Sequence, residues 1–165
     1  MKIRPQIPAD LPRICTLNDA AFAEHGGTAA FDQFRAERDD IVSLVAETDE
    51  NLVGHVLFSP VILATPSGDI EGMGLGQLAV QPTQQRQGIG SKLTLTGIQQ
   101  LREAGCPFII VVGHATYYPR FGFERGSAHG IKSNWANIPD DSFMILVLDQ
   151  QPHIDLQGTA RFDGM

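Results

Sequence analysis

The stretch Leu78-Ala79-Val80-Gln81-Pro82-Thr83-Gln84-Gln85-Arg86-Gln87-Gly88-Ile89-Gly90-Ser91-Lys92-Leu93 runs from apolar, strand-like residues through a polar loop into an amphipathic segment. From Ile89 onward, Leu93, Gly97, Leu101 and Ala104 fall on one helical face with Ile98 beside them, so the spacing predicts a helix over 89–104. Gly105 ends it and Pro107 prevents its continuation. Gly97 inside that stripe costs about 1 kcal/mol against alanine, which is tolerable if the helix packs very close to a sheet. The first N–H groups of a helix have no partner within it, and the aligned peptide dipoles add about half a positive charge there. Together they favour an anion such as a phosphate. Gly88 and Gly90 remove side chains where a ligand would touch backbone, and Arg86 or Lys92 can add charge at the rim. The informative pattern is Gln85-x-x-Gly88-x-Gly90; an ordinary strand-to-helix turn could also carry it.

On the downstream side, FIIVVG at 108–113 is a continuous apolar run, as expected of a strand buried on both faces after a helical crossover. A short helix near 115–120 follows, then strand candidates at 121–125 and 143–149. The loop between them, 126–141, is long, and loops of that length often carry function. Upstream, residues 2–7 read as a strand. Residues 9–24 read as a helix bearing Leu11, Ile14, Leu17, Ala21 and Phe22. Thr28 can cap a second helix through about 39. Segments 41–49, 51–64 and 70–80 read as an antiparallel meander, with turns at Asp49-Glu50-Asn51 and at 65–68. The class is α+β with one mixed sheet, and residues 1–150 read as a single domain followed by a tail, 151–165, that says little. Gly72-Met73-Gly74-Leu75-Gly76 looks like a dinucleotide fingerprint by eye. It leads into more strand, not a helix, so it reads as strand glycines near a bulge or a close ligand approach.

Composition narrows the function. Of 165 residues, 42% are hydrophobic and 19% charged, which suits a globular domain large enough to need no staple. Twelve Lys and Arg against nineteen Asp and Glu give a net charge of −7, a poor match for nucleic acid. The acidity suits a cationic substrate such as an amine, and equally suits mere solubility. Cys15 and Cys106 show no metal spacing and read as buried free thiols of a reducing cytoplasm. Asp140-Asp141 reads as a solvated turn, so no metal is expected. No apolar stretch approaches the ~20 residues that cross a bilayer, and the N-terminus lacks an apolar signal core. The expectation is a cytoplasmic protein with no membrane partner. No Gly-x-Ser-x-Gly elbow points to a hydrolase.

A second pattern stands downstream, Tyr118-Pro119-Arg120-Phe121-Gly122-Phe123. With Gln85-Arg86-Gln87-Gly88-Ile89-Gly90 placed after Val80-Gln81-Pro82, it makes the chain resemble the GNAT superfamily of acetyltransferases, in particular its YhbS-like branch. The first motif resembles the family's pyrophosphate loop and the second its Tyr-x-x-x-Gly-Phe signature. The resemblance implies a mixed, mostly antiparallel sheet with helices on both faces, in three α/β layers. It implies acetyl-CoA as co-substrate and direct acetyl transfer to an amine on a small molecule or a protein, without a cysteine intermediate. It places the cofactor's diphosphate on Gln85, Arg86, Gln87, Gly88, Ile89, Gly90 and Ser91. Its pantetheine arm would pair with the backbone of Leu78, Ala79 and Val80, where an N–H can also stabilise an oxyanion. Tyr118 would be the general acid. A thiol has a pKa near ~8.5 and a phenol near ~10, so a phenol beside the sulfur can protonate the leaving thiolate. Tyr117 reads as core. Some members carry a glutamate general base on the strand before the loop, but that position falls near Gly74, which has no side chain. Glu71 and His55 are weaker candidates, and a water chain to backbone carbonyls would also serve. The 126–141 loop, with His129, Lys132 and Trp135, and the helices over 9–39 would flank an acceptor pocket. Members are often homodimers. The alternative to an enzyme is a non-catalytic acyl-CoA-binding module or sensor on the same fold.

Overall fold

A computed structural model describes residues 1–23, 38–49, 51–148 and 155–162. In chain order these form β1 (Lys2–Pro5), α1 (Leu11–Ala21), β2 (Val42–Thr48), β3 (Asn51–Thr65), β4 (Gly68–Val80) and α2 (Ile89–Glu103). There follow β5 (Phe108–Val112), β6 (Glu124–Arg125), β7 (Ile131–Ser133), β8 (Phe143–Val147) and β9 (Gly158–Phe162). Two compact units emerge, Met1–Phe58 with Gln77–Ile98, and Ser59–Gly76 with Gln99–Met165. Strands β3 and β4 and helix α2 each run through both.

In the first unit, β1 pairs antiparallel with β2, and β2 with β3, with a bulge between Ala46 and Glu47. Helix α1 opens as a 3-10 turn over Pro8–Asp10, where proline suits the first helical position, and buries Ile14 and Leu17. Arg4 anchors that turn through Asp10, 2.6 Å away. The second helix expected from Thr28 through about 39 lies outside the described residues as far as 37, and residues 38 and 39 are not helical. Helix α2 starts at Ile89 as the spacing predicts and buries Ile89, Leu93, Ile98 and Leu101. Ala104 departs from the expected stripe: it lies past the helix end and is exposed. A Cβ at Gly97 would collide with the ring of buried Phe58 from β3. A Cβ at Gly54 would stand 2.8 Å from Leu93 Cδ1 and 2.9 Å from Ile89 Cγ2. The helix packs on β3 closely enough to require both glycines, which explains a helix-weakening residue in the buried stripe.

In the second unit, β5 lies parallel to β4, with Met73 opposite Ile109, as a strand reached by a helical crossover should. Strand β8 pairs antiparallel with β5 and with β6. Strand β9 pairs antiparallel with β3 and parallel with β7. The sheet is thus mixed and mostly antiparallel. The core gathers Val61, Leu63, Phe108, Ile110, Ile145 and Phe162. Some segments differ from expectation. The short helix near 115–120 is a 3-10 turn at Tyr118–Phe121, halted by Gly122 at φ 92°, so the strand expected over 121–125 shrinks to Glu124–Arg125. The segment 126–141 is not all loop: it holds a 3-10 turn at Gly126–His129 and strand β7. Past Gln150, where no element was expected, β9 buries Ala160 and Phe162. Cys15 and Cys106 are free thiols but only half-buried.

Candidate active site

The loop before α2 is sharply bent. Arg86 and Gly88 adopt positive φ values of 61° and 83°. A left-handed arginine costs roughly 1–2 kcal/mol, the kind of local strain that persists at functional positions. The Gln85 side chain donates from Nε2 to the Val80 carbonyl at 3.2 Å, tying the loop to the end of β4, while the Gln81 N–H donates to Val53 O at 2.9 Å. The first helical hydrogen bond runs from Lys92 N–H to Gly88 O at 3.0 Å. The N–H groups of Ile89, Gly90 and Ser91 therefore precede the ladder and lack intrahelical acceptors. A Cβ at Gly88 would meet nothing within 4 Å, so space lies open beside it. Gln85, Arg86, Gln87 and Lys92 are exposed. Positive side chains, free amides and an open glycine form a cradle that fits a diphosphate. The register between β4 and β5 ends at Leu75 opposite Val111, short of Leu78, Ala79 and Val80.

Tyr118 belongs to the second unit. Its ring is buried at 7% exposure, edge-on to Tyr117 with centroids 5.0 Å apart and to Phe123 at 5.7 Å. Gly113 makes room for it, since a Cβ there would collide with the tyrosine ring. Its hydroxyl makes no hydrogen bond to the described residues. Burial pushes the phenol well above its ordinary pKa, and Tyr117 adds to the rise. The proton therefore stays on the oxygen throughout the neutral range. Tyr117 is stacked beneath the Arg120 guanidinium, 4.3 Å above its ring.

The base candidates separate. Gly74 is walled in: a Cβ would stand 2.7 Å from Val61 Cγ2 and collide with the Phe162 ring. No carboxylate fits there. Gly72 is filled in the same way by the ring of Phe108. The strand glycines thus receive aromatic side chains, an outcome the bare glycine spacing did not reveal. Glu71 is exposed on β4. His55 is fully buried, with Nε2 2.9 Å from Ser43 Oγ and Nδ1 3.3 Å from Asn18 Oδ1. Ser43 in turn donates to Gln6 Oε1 at 2.5 Å, and Asn18 Nδ2 to Gln77 Oε1 at 3.2 Å. This buried polar chain cross-braces β2, β3, β4 and α1. Burial pushes the Cys106 thiol up in pKa, and it donates to Phe108 O at 3.1 Å, so it is a poor nucleophile. Sequence reasoning missed the Asn18–His55–Ser43 brace and the stacking of Trp135 on Phe162, which join residues with no periodic or motif signal.

Comparison with known proteins agrees with this geometry. Residues 2–126 match the acetyltransferase (GNAT) domain family. The Escherichia coli K12 protein named "Uncharacterized N-acetyltransferase YhbS" is 32% identical over 136 residues, covering 82% of this chain and 80% of that one. The crystal structure of YhbS from Escherichia coli in complex with CoA superposes with a TM-score of 0.88 at 28% identity, covering 98% of this chain and 88% of that one. A GNAT family acetyltransferase from Brucella melitensis, solved with acetyl-CoA, gives 0.78 at 31% identity, covering 99% and 96%. The chain belongs to the GNAT acetyltransferase family, and is thereby an acyltransferase with acetyl-CoA as its co-substrate. Among the described residues no helix is long and apolar enough to cross a membrane.

Proposed function

We propose that this chain transfers the acetyl group of acetyl-CoA directly to an amine, holding the diphosphate on the amides that open α2 and protonating the departing sulfur from Tyr118. Residues 1–150 act as one acetyltransferase domain on this view, with β9 of the following tail adding Ala160 and Phe162 to its core. The observation that carries the proposal is the helix start itself: three N–H groups without intrahelical acceptors beside Gly88, whose missing side chain leaves open space. On this view the pantetheine arm pairs with main-chain groups of Leu78, Ala79 and Val80, which follow the end of the β4–β5 register at Leu75. Acetyl-CoA supplies a thioester carbonyl open to attack by a neutral amine. Tyr118 gives its proton to the sulfur as the carbon–sulfur bond breaks, and recovers one from the nitrogen by way of solvent. Its raised pKa keeps that proton in place before the step. Since Gly74 has no room for a carboxylate, the amine's proton leaves by another route, with water the simplest carrier and exposed Glu71 the nearest acidic side chain along β4. Two free cysteines suit a reducing compartment, the cytoplasm.

The test is thiol release by the purified protein. Free CoA should appear only when acetyl-CoA and an accepted amine are both present. Tyr118→Phe should lower turnover by about a hundredfold while leaving acetyl-CoA affinity nearly unchanged. Equal turnover in that variant would remove Tyr118 from the chemistry.

A further inference from the structure

We propose that a cavity within the second unit, walled by the single tryptophan of the chain, binds a small aromatic carboxylate. It measures about 380 Å³, within the range of small-molecule sites, and is lined by segments around β7 and the start of β8. Trp135 stands on its wall with 37% of its surface exposed. Phe162 stacks on the indole with ring centroids 4.7 Å apart and 17° between the planes. Phe162 does not line the cavity, so the stack fixes the indole from one side and leaves it as a flat apolar wall for an aromatic ring. Ile131, Ile138 and Phe143 extend the apolar lining. The Trp135 backbone N–H donates to Ser133 Oγ at 3.0 Å, which leaves the Ser133 hydroxyl proton available to a ligand.

Charge decides the sign of that ligand. Asp140 also lines the cavity, but Arg125 stands 3.6 Å from it. Lys132 lines the same cavity and forms no ion pair or side-chain hydrogen bond among the described residues. The charged lining side chain that has no ion-pair partner among the described residues is thus the positive one, in a chain whose net charge is −7. A ring lying on the indole with its carboxylate toward Lys132 and Ser133 satisfies both features. A cationic ring would face Lys132 unfavourably, and a neutral one would forgo the charge.

Because the chain has one tryptophan, its fluorescence reports this cavity directly. The full chain is titrated with 4-nitrobenzoate, 4-nitrobenzyl alcohol and 4-nitrobenzylamine. The expected result is saturable quenching, with the carboxylate bound roughly fivefold more tightly than the alcohol and the amine weakest. Lys132→Gln should bring the carboxylate down to the alcohol's affinity, and Lys132→Arg should retain it. Acetyl-CoA binding, measured by calorimetry on the same variants, confirms that they are folded and stays unchanged. Collisional quenching without saturation, equal affinity for the three probes, or a Lys132→Gln variant that binds like the parent would overturn the assignment. The readout is independent of acetyl transfer, so failure here and failure of the proposed function are separately visible.

Discussion

Two sets of glycines in this chain look alike in sequence and do opposite jobs. Gly72 and Gly74 on β4 are closed by packing: Phe108 occupies the space beside the first, and Phe162 with Val61 the space beside the second. Gly88, in the loop before α2, has nothing within 4 Å of where a Cβ would stand, and its φ is 83°. The strand glycines exist for what is already there, aromatic rings of the core. The loop glycine exists for backbone shape and open space, which suits the proposed diphosphate site. A glycine-rich stretch therefore identifies a binding loop only together with the element that follows it, a helix after Gly88 and more strand after Gly76.

That contrast can be broken in graded ways. Gly74→Glu, which installs the carboxylate some family members use, should have the largest effect. It forces a charged side chain onto Phe162 and Val61 and should cost at least about 3 kcal/mol of unfolding free energy in urea titration. Gly72→Ala follows, at roughly 1–3 kcal/mol, because the Phe108 ring is fully buried and has little room to yield. Gly88→Ala meets no clash, so its stability loss should stay near about 1 kcal/mol from backbone strain, while acetyl-CoA affinity drops by about tenfold in calorimetry. Gly105→Ala is the control. It too has positive φ, 77°, and open surroundings, so it should show a similar strain cost with no change in affinity. The smallest effect concerns acid. The Arg4 guanidinium holds the Asp10 carboxyl below the usual carboxylate range. The stability this contributes is complete above about pH 4 and is lost as pH falls through the lowered value. Arg4→Gln should flatten that acid-side slope in pH-dependent melting.

Much of this was legible in the residues, for identifiable reasons. Helix α2 could be read to its first residue because Ile89, Leu93, Ile98 and Leu101 repeat at helical spacing between two glycines. Strand β5 could be read because FIIVVG is apolar without interruption, and the family followed from two motifs in a fixed order. What escaped were features decided by distant partners. Strand β9 is five residues whose burial depends on β3 and β7, and nothing local marks it. The 3-10 turn at Tyr118 is cut short by Gly122, whose left-handed backbone a strand reading of 121–125 overlooks. The packing of Phe162 over Gly74 joins positions far apart in the chain, so the missing carboxylate was visible in sequence while its cause was not.

The central claim is that backbone amides at the start of α2 hold the diphosphate of acetyl-CoA. Titration of ¹⁵N-labelled protein with acetyl-CoA, followed at the amide resonances of Ile89, Gly90 and Ser91, tests it most directly. The account predicts that these three shift strongly downfield and saturate together with the bulk binding isotherm. If they stay in place while the ligand binds, the diphosphate is held elsewhere and the account is wrong.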